Sequence, residues 1–183
     1  MIEYAKNKNK DLEIKLGDGN SLMTYDKGTF THITCMYFTV YEFKDKALLF
    51  RNIYHWLQRG GFFILHVVDE DRFEMVAPCA KVRNDLVGEF SKERIMKSTV
   101  SMPSFIYGTK YIPIASSKDY MFEETFKSHD LKSIRVNSRH LYMEKKASIL
   151  SLLKNLGFVV SDETTYECQN GSRYFGLWRC LKS

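Results

Sequence analysis

No stretch of this 183-residue chain is long and apolar enough to span a bilayer or act as a signal peptide, so the sequence indicates neither a membrane anchor nor export. Its four cysteines, Cys35, Cys79, Cys168 and Cys180, contain no CxxC spacing. The five histidines, His32, His55, His66, His129 and His140, show no ligand spacing with one another or with cysteine, so no metal site is expected. Together these absences describe reduced thiols in a cytoplasmic protein. Neither a Ser-His-Asp set nor a Cys-His pair in nucleophile-elbow context occurs, which removes the common covalent hydrolases. Repeats, low-complexity tracts and dense runs of one charge are also missing. The 27 Lys and Arg against 22 Asp and Glu give +5, spread along the chain, which reads as a solvated surface before it reads as a nucleic-acid footprint.

What is present suits a single domain over residues 1–183, since 44% apolar and 14% aromatic content can build a core. The organising stretch is WLQRGGFFILHVVD, from Trp56 to Asp69. Phe43, Ala47, Phe50, Ile53, Tyr54 and Leu57 recur at helical spacing, predicting a helix over Phe43 to Arg59. Gly60 and Gly61 are expected to cap it, and Phe62 to Val68 to form a strand. A strand apolar on both faces belongs in a sheet covered by helices on both sides. Upstream, MIEYAKNKNK reads as the end of an amphipathic helix with Ile2 and Ala5 inward. Leu12 to Leu16 alternates as a short strand before the turn-forming Gly17-Asp18-Gly19-Asn20, and Thr31 to Val40 is a second strand.

After Asp69 the pattern changes. Residues 70–143 read as an insert with a helix near Lys81 to Met96. It also holds a hairpin in which Tyr120, Phe122 and Phe126, then Ile134 and Val136, alternate across a turn at Ser128 to Asp130. Such an insert is expected to be a lid or substrate floor. Ala147, Leu150, Leu153 and Leu156 make a closing helix capped by Gly157, followed by two strands joined through Gln169 to Ser172. A two-residue turn at Asn170-Gly171 would place Cys168 opposite Arg173 and Cys180 opposite Ser161, which disfavours a Cys168–Cys180 bridge.

An α/β order that closes with an antiparallel hairpin resembles the class I S-adenosylmethionine-dependent methyltransferases. IKLGDGNSL looks like that family's third strand and acidic loop, FTHITCMYFTVYEF like its fourth strand, LQRGGFFILHVVD like its LxxGG turn and fifth strand, and the closing hairpin like its sixth and seventh strands. The resemblance implies a Rossmann-like sheet in the order third, second, first, fourth, fifth, seventh, sixth, with S-adenosylmethionine bound outside the carboxyl ends of the strands. It implies that Asp18 meets the adenine amino group, with Gly19 and Asn20 offering backbone groups to the ring. It also sets Cys35, Met36 and Tyr37 beside the methionine part. Read without the resemblance, Gly17 to Asn20 is a plain turn, and Met36 fits equally well as a side chain packed within its own buried strand. Tyr37, Tyr41, Tyr107, Arg139, His140 and Tyr142 could shape an acceptor pocket, the alternative being that these rings form the core of the lid.

The chain departs from that pattern in one respect. It carries no GxGxG loop after a first strand and no second strand with an acidic end, although these hold the carboxypropyl and ribose parts of the cofactor in the family. The expectation is therefore a methyltransferase body whose first two strands come from a longer natural polypeptide or a partner chain, or whose Leu12 to Leu16 strand pairs directly against the fourth. The acceptor is expected to be a small molecule ahead of a nucleic acid. The competing expectation is a catalytically inactive methyltransferase-like protein acting as a structural or binding component of an assembly.

Overall fold

A computed structural model describes residues 2–37, 39–68, 96–167 and 173–183. The first helix, α1, spans Ile2–Lys8, and β1 (Phe30–Cys35) leads into α2 (Thr39–Glu42), α3 (Lys46–Trp56) and β2 (Leu57–Val68). The chain closes with α4 (Lys146–Asn155), β7 (Phe158–Glu167) and β8 (Arg173–Lys182). The main sheet has the order β1-β2-β8-β7, with β1 and β2 parallel and the remaining pairs antiparallel. This is the fourth, fifth, seventh, sixth portion of the order implied by the resemblance.

Several boundaries differ from the periodicity, each for a local reason. The helix expected from Phe43 starts later, at Lys46, because Asp45 caps its start by accepting from the Leu48 amide at 2.8 Å, and the four orphan amides at a helix start need such an acceptor. At the other end Leu57, rather than Gly60, is the cap, and β2 begins there. Gly60 instead supplies a positive φ of 75° within a bulge. Between the pairs Phe30–Leu57 and His32–Phe62, β1 advances two residues while β2 advances five. Gly61 is demanded by space, since a Cβ there would lie 2.9 Å from both the Gln58 and Thr31 carbonyl oxygens.

The expectation for Leu12 to Leu16 fails. These residues form no strand, and Leu16 is 83% exposed. Alternation can mark a face, but a strand also needs a neighbour, and among the described residues nothing pairs with this segment or with the far edge of β1. α1 forms as expected but buries none of its residues, so Ile2 and Ala5 are only half-covered.

The strand β2 is interior and its Phe63, Leu65 and Val67 are fully buried. Phe50 of α3 and Phe158 lie against Phe63 with ring centroids 5.8 and 5.9 Å away, and Ile149 and Leu153 of α4 join the same cluster. The opposite face is less covered than expected, for Phe62, Ile64 and His66 are only half-buried. Cys35 and Cys180 are buried free thiols, and burial pushes the Cys180 thiol up to about 12. Cys180 pairs with Val160, because a bulge near Ser161 offsets the register expected from the turn. Cys168, the turn at Asn170-Gly171 and most of the predicted Lys81 to Met96 helix lie outside the described residues.

Within the insert the expected hairpin is half of a larger element. A four-stranded antiparallel sheet is formed by β3 (Lys97–Ser101), β4 (Ile106–Pro113), β5 (Tyr120–Lys127) and β6 (Ile134–Leu141), in that order. Its inner face adds Tyr111, Phe122 and Leu141 to the main core. Lys46, whose side chain is fully buried, ties this sheet to α3. Its Nζ donates to the Phe43 carbonyl at 3.1 Å and the Tyr142 carbonyl at 2.8 Å, and lies 3.5 Å from Glu144 Oε1. A second buried lysine, Lys182, donates at 2.7 Å to the Tyr54 and Leu57 carbonyls and so caps the negative end of α3. Burial holds both ammonium groups below the ordinary lysine range, with repulsion from Lys27 adding to the effect at Lys182.

Candidate functional site

In an open α/β sheet the ligand space lies beyond the carboxyl ends of the parallel strands, here the ends of β1 and β2. Helix α2 is fixed above those ends by Tyr41, which is fully buried. Its hydroxyl donates to the Val68 carbonyl at 3.3 Å and accepts from the Val68 amide at 3.0 Å. Tyr41 was a candidate for acceptor contact, and these bonds make it a strut under the site.

At the end of β1, Cys35 is buried, and its thiol is raised to about 12 by burial and then by the nearby charge of Glu42, so it is no nucleophile. Met36 and Tyr37 project into solvent. Tyr37 adopts a φ of 55°, uncommon for a bulky residue, and its ring stands edge-on to His66 at 6.2 Å. His66 itself is kept neutral to lower pH by burial.

The Gly17 to Asn20 turn is built against α3 and the residue Phe43 that precedes it. Asn52 of α3 donates to the Gly19 carbonyl at 2.9 Å, and Trp56 Nε1 donates to the Leu22 carbonyl at 2.8 Å. A Cβ on Gly19 would sit 3.0 Å from the Phe43 ring, so the turn is pressed onto the chain just after α2. Asp18 is exposed, and its Oδ1 accepts from the Asn20 amide at 2.9 Å, leaving the second carboxylate oxygen for a ligand. A carboxylate held this way suits an exocyclic amine such as that of adenine. The glycines, however, are required by the turn's own packing.

The acceptor candidates divide between the two faces of the second sheet. Tyr107 and Arg139 share the inner face, whereas His140 points to the reverse face, because neighbours in a strand alternate. There His140 Nε2 lies 3.2 Å from Asp119 Oδ2 and its ring stacks on Tyr142 at 3.9 Å. Burial alone would raise the Asp119 carboxyl, but hydrogen bonds from His140, the Met143 amide and Ser117 outweigh it and hold the group below its ordinary range.

On the inner face Tyr107 donates to Glu124 Oε1 at 2.7 Å. Arg139 spans two carboxylates, with Nη1 2.8 Å from Glu42 and Nη2 2.7 Å from Glu124. Glu42 and Glu124 were not among the sequence candidates. Glu124 shares the even spacing of Phe122 and Phe126, so its place on the aromatic face was readable, whereas Glu42 acquires its partner from 97 residues away.

A family model described as a methyltransferase domain matches residues 1–65. The chain also superposes on an S-adenosylmethionine-dependent methyltransferase from Clostridium acetobutylicum with a TM-score of 0.67, at 14% identity over 98% of this chain and 70% of that one. It has the class I methyltransferase fold. An amino pentose methyltransferase from Micromonospora echinaspora, solved with S-adenosylmethionine bound, matches at TM-score 0.60 and 13% identity, over 100% of this chain and 70% of that one. A sugar N-methyltransferase from Streptoalloteichus matches at 0.61 and 16%, over 98% and 66%. No curated protein matches the sequence. Cys35 to Tyr37 stand at the carboxyl end of β1, the Gly19 position packs on Phe43 and Leu49, and the described residues supply no glycine-rich loop. Among those residues no cluster of His, Cys, Asp or Glu could hold a metal ion, and no helix is long and apolar enough to cross a membrane.

Proposed function

We propose that the chain is the body of an enzyme that transfers a methyl group from S-adenosylmethionine to a small-molecule acceptor. The observation that supports the reading is the packing of the Asp18 turn on Phe43, just after α2, with the Met36-Tyr37 corner following the end of β1. S-adenosylmethionine, when bound, would supply an electrophilic methyl on sulfur. Asp18 would hold the adenine amine, Gly19 and Asn20 the ring edge, and Cys35, Met36 and Tyr37 the methionine side. Methyl transfer asks mainly for an aligned nucleophile, and alignment can supply most of the rate. The inner face of the second sheet, with Tyr107 and Arg139, would form the acceptor wall. A small acceptor agrees with the neighbours described as acting on sugars.

The edge of β1, unpaired among the described residues, supports a further part of the proposal, that strands from another segment or chain complete the cofactor site there. The same edge favours a second reading, a methyltransferase-like binding protein with no cofactor of its own. Calorimetry with S-adenosylhomocysteine separates the two. Micromolar binding that Asp18→Ala weakens supports the enzyme, and no binding by the chain, alone or in its native assembly, supports the second reading.

A further inference from the structure

We propose that the amino end of β2 carries an anion site, a cleft that takes a doubly charged phosphate group through Lys27, Arg59 and Lys182. The proposal stands independently of the methyl-transfer reading. The cleft is open, with a volume of about 660 Å³, and Tyr54 and Leu57 at the end of α3 share its lining. Clefts of roughly 300–1,000 Å³ are the size that holds small ligands. β8 runs antiparallel to β2, so Lys182 at its end meets Leu57 from 125 positions away, beside Gln58 and Arg59.

The first observation is charge. No Asp or Glu side chain lines the cleft, and among the described residues neither Lys27 nor Arg59 has an ion-pair or hydrogen-bond partner. Asp26, beside Lys27 in the chain, is exposed and pairs with neither. The negative group on the lining is the Ser183 carboxylate at the end of the sequence, one charge against three. Two positive charges are left uncompensated, and a cleft lined by one sign concentrates the opposite one. A monoanion would cancel half of that excess, whereas a phosphate dianion cancels it and offers several oxygens to a guanidinium fork and two ammonium groups.

The second observation is independent of that count. Lys182 is only 9% exposed, and an ammonium group has three N–H donors. Two go to the Tyr54 and Leu57 carbonyls at 2.7 Å, and the third has no oxygen acceptor among the described residues, the Tyr54 ring centroid lying 4.6 Å from Nζ. Repulsion from Lys27 adds to the burial that already disfavours this charge, and an anion between the two would relieve both. The carbonyls at the end of α3, which would repel an anion, are engaged. Ile53 accepts from the Leu57 amide, Tyr54 from Lys182, and His55 from the Gly28 amide at 3.0 Å. The backbone also leaves room. Residues 58–61 have no partner in register on β1 or β8, and a Cβ on Gly60 would meet nothing within 4 Å, so Arg59 stands on a bulge outside the ladder.

The test is a two-dimensional NMR titration of the full chain at neutral pH and constant ionic strength with inorganic phosphate, glucose 6-phosphate and acetate. Both phosphates are expected to bind with a Kd of about 1 mM or tighter, shifting the Gly28, Gln58 and Arg59 amides, with acetate about tenfold weaker. Lys27→Gln and Arg59→Gln alter exposed side chains that bond nothing, so both variants should fold. Each is expected to weaken phosphate about threefold and the double variant about tenfold, while Lys132→Gln, in the turn after β5, changes nothing. Tighter binding of glucose 6-phosphate than of phosphate supports a phosphorylated small molecule as the ligand, and the reverse order supports the free ion. No phosphate binding, acetate binding as tightly as phosphate, shifts confined to other residues, or an affinity unchanged in the double variant each overturns the site.

Discussion

Replacing Lys46 by Met tests whether one buried cation holds the antiparallel sheet to the main body. Methionine keeps the length and apolar stem but removes every donor, so the Phe43 and Tyr142 carbonyls lose their Nζ partner and Glu144 its counter-ion. Each hydrogen bond to a charged group contributes about 1.5–3 kcal/mol. Part of that is offset because the variant no longer buries an ammonium group. The net loss is expected near ~3 kcal/mol, which for a chain of this size lowers Tm by about 6–12 °C. Calorimetric melts give a second readout through pH. Burial lowers the folded-state pKa of Lys46, so between that pKa and the unfolded 10.5 the unfolded chain binds more protons, and wild-type stability rises with pH in that alkaline window. Lys46→Met should flatten this slope without abolishing it, since Lys182 is shifted the same way. A variant melting within about 1 °C of wild type, with an unchanged slope, would refute the strut.

Leu65→Asp should abolish soluble expression, because Leu65 is fully buried in β2 and an unpaired charge there exceeds the margin of an ordinary domain; recovery of folded protein would overturn the sheet assignment. Asp18→Ala should weaken S-adenosylhomocysteine binding by about 1–2 kcal/mol in calorimetry, and unchanged affinity would reduce Gly17 to Asn20 to a plain turn. Gly61→Ala drives a methyl against two backbone oxygens at 2.9 Å, and an overpacking cost of about 1–3 kcal/mol should appear in a denaturant melt, with no cost meaning the bulge can relax. Deleting Ser98 to Ser138, tolerable if the insert were a detachable lid, should instead yield a molten or insoluble protein, because Tyr111 and Phe122 belong to the shared core.

The sequence by itself determined the elements whose signals are local. The apolar run of β2, the helical spacing and Gly157 stop of α4, whose glycine adopts φ 95°, and the closing pair β7 and β8 all follow from neighbours within a few residues. Their order was enough to suggest the fold. The tertiary structure decided what depends on distant partners. Leu12 to Leu16 carries a strand's alternation but no strand, because pairing is supplied from outside the segment. Spacing starts the helix at Phe43, until Asp45 turns its carboxylate onto the Leu48 amide and sets the start at Lys46. Tyr41 looks like a pocket residue until Val68, 27 positions away, takes its hydroxyl. Arg139 and His140 look like one cluster until the pleat sends them to opposite faces, one to Glu42 and Glu124 and the other to Asp119. Periodicity reports which way a side chain faces, and only the folded chain determines what it meets there.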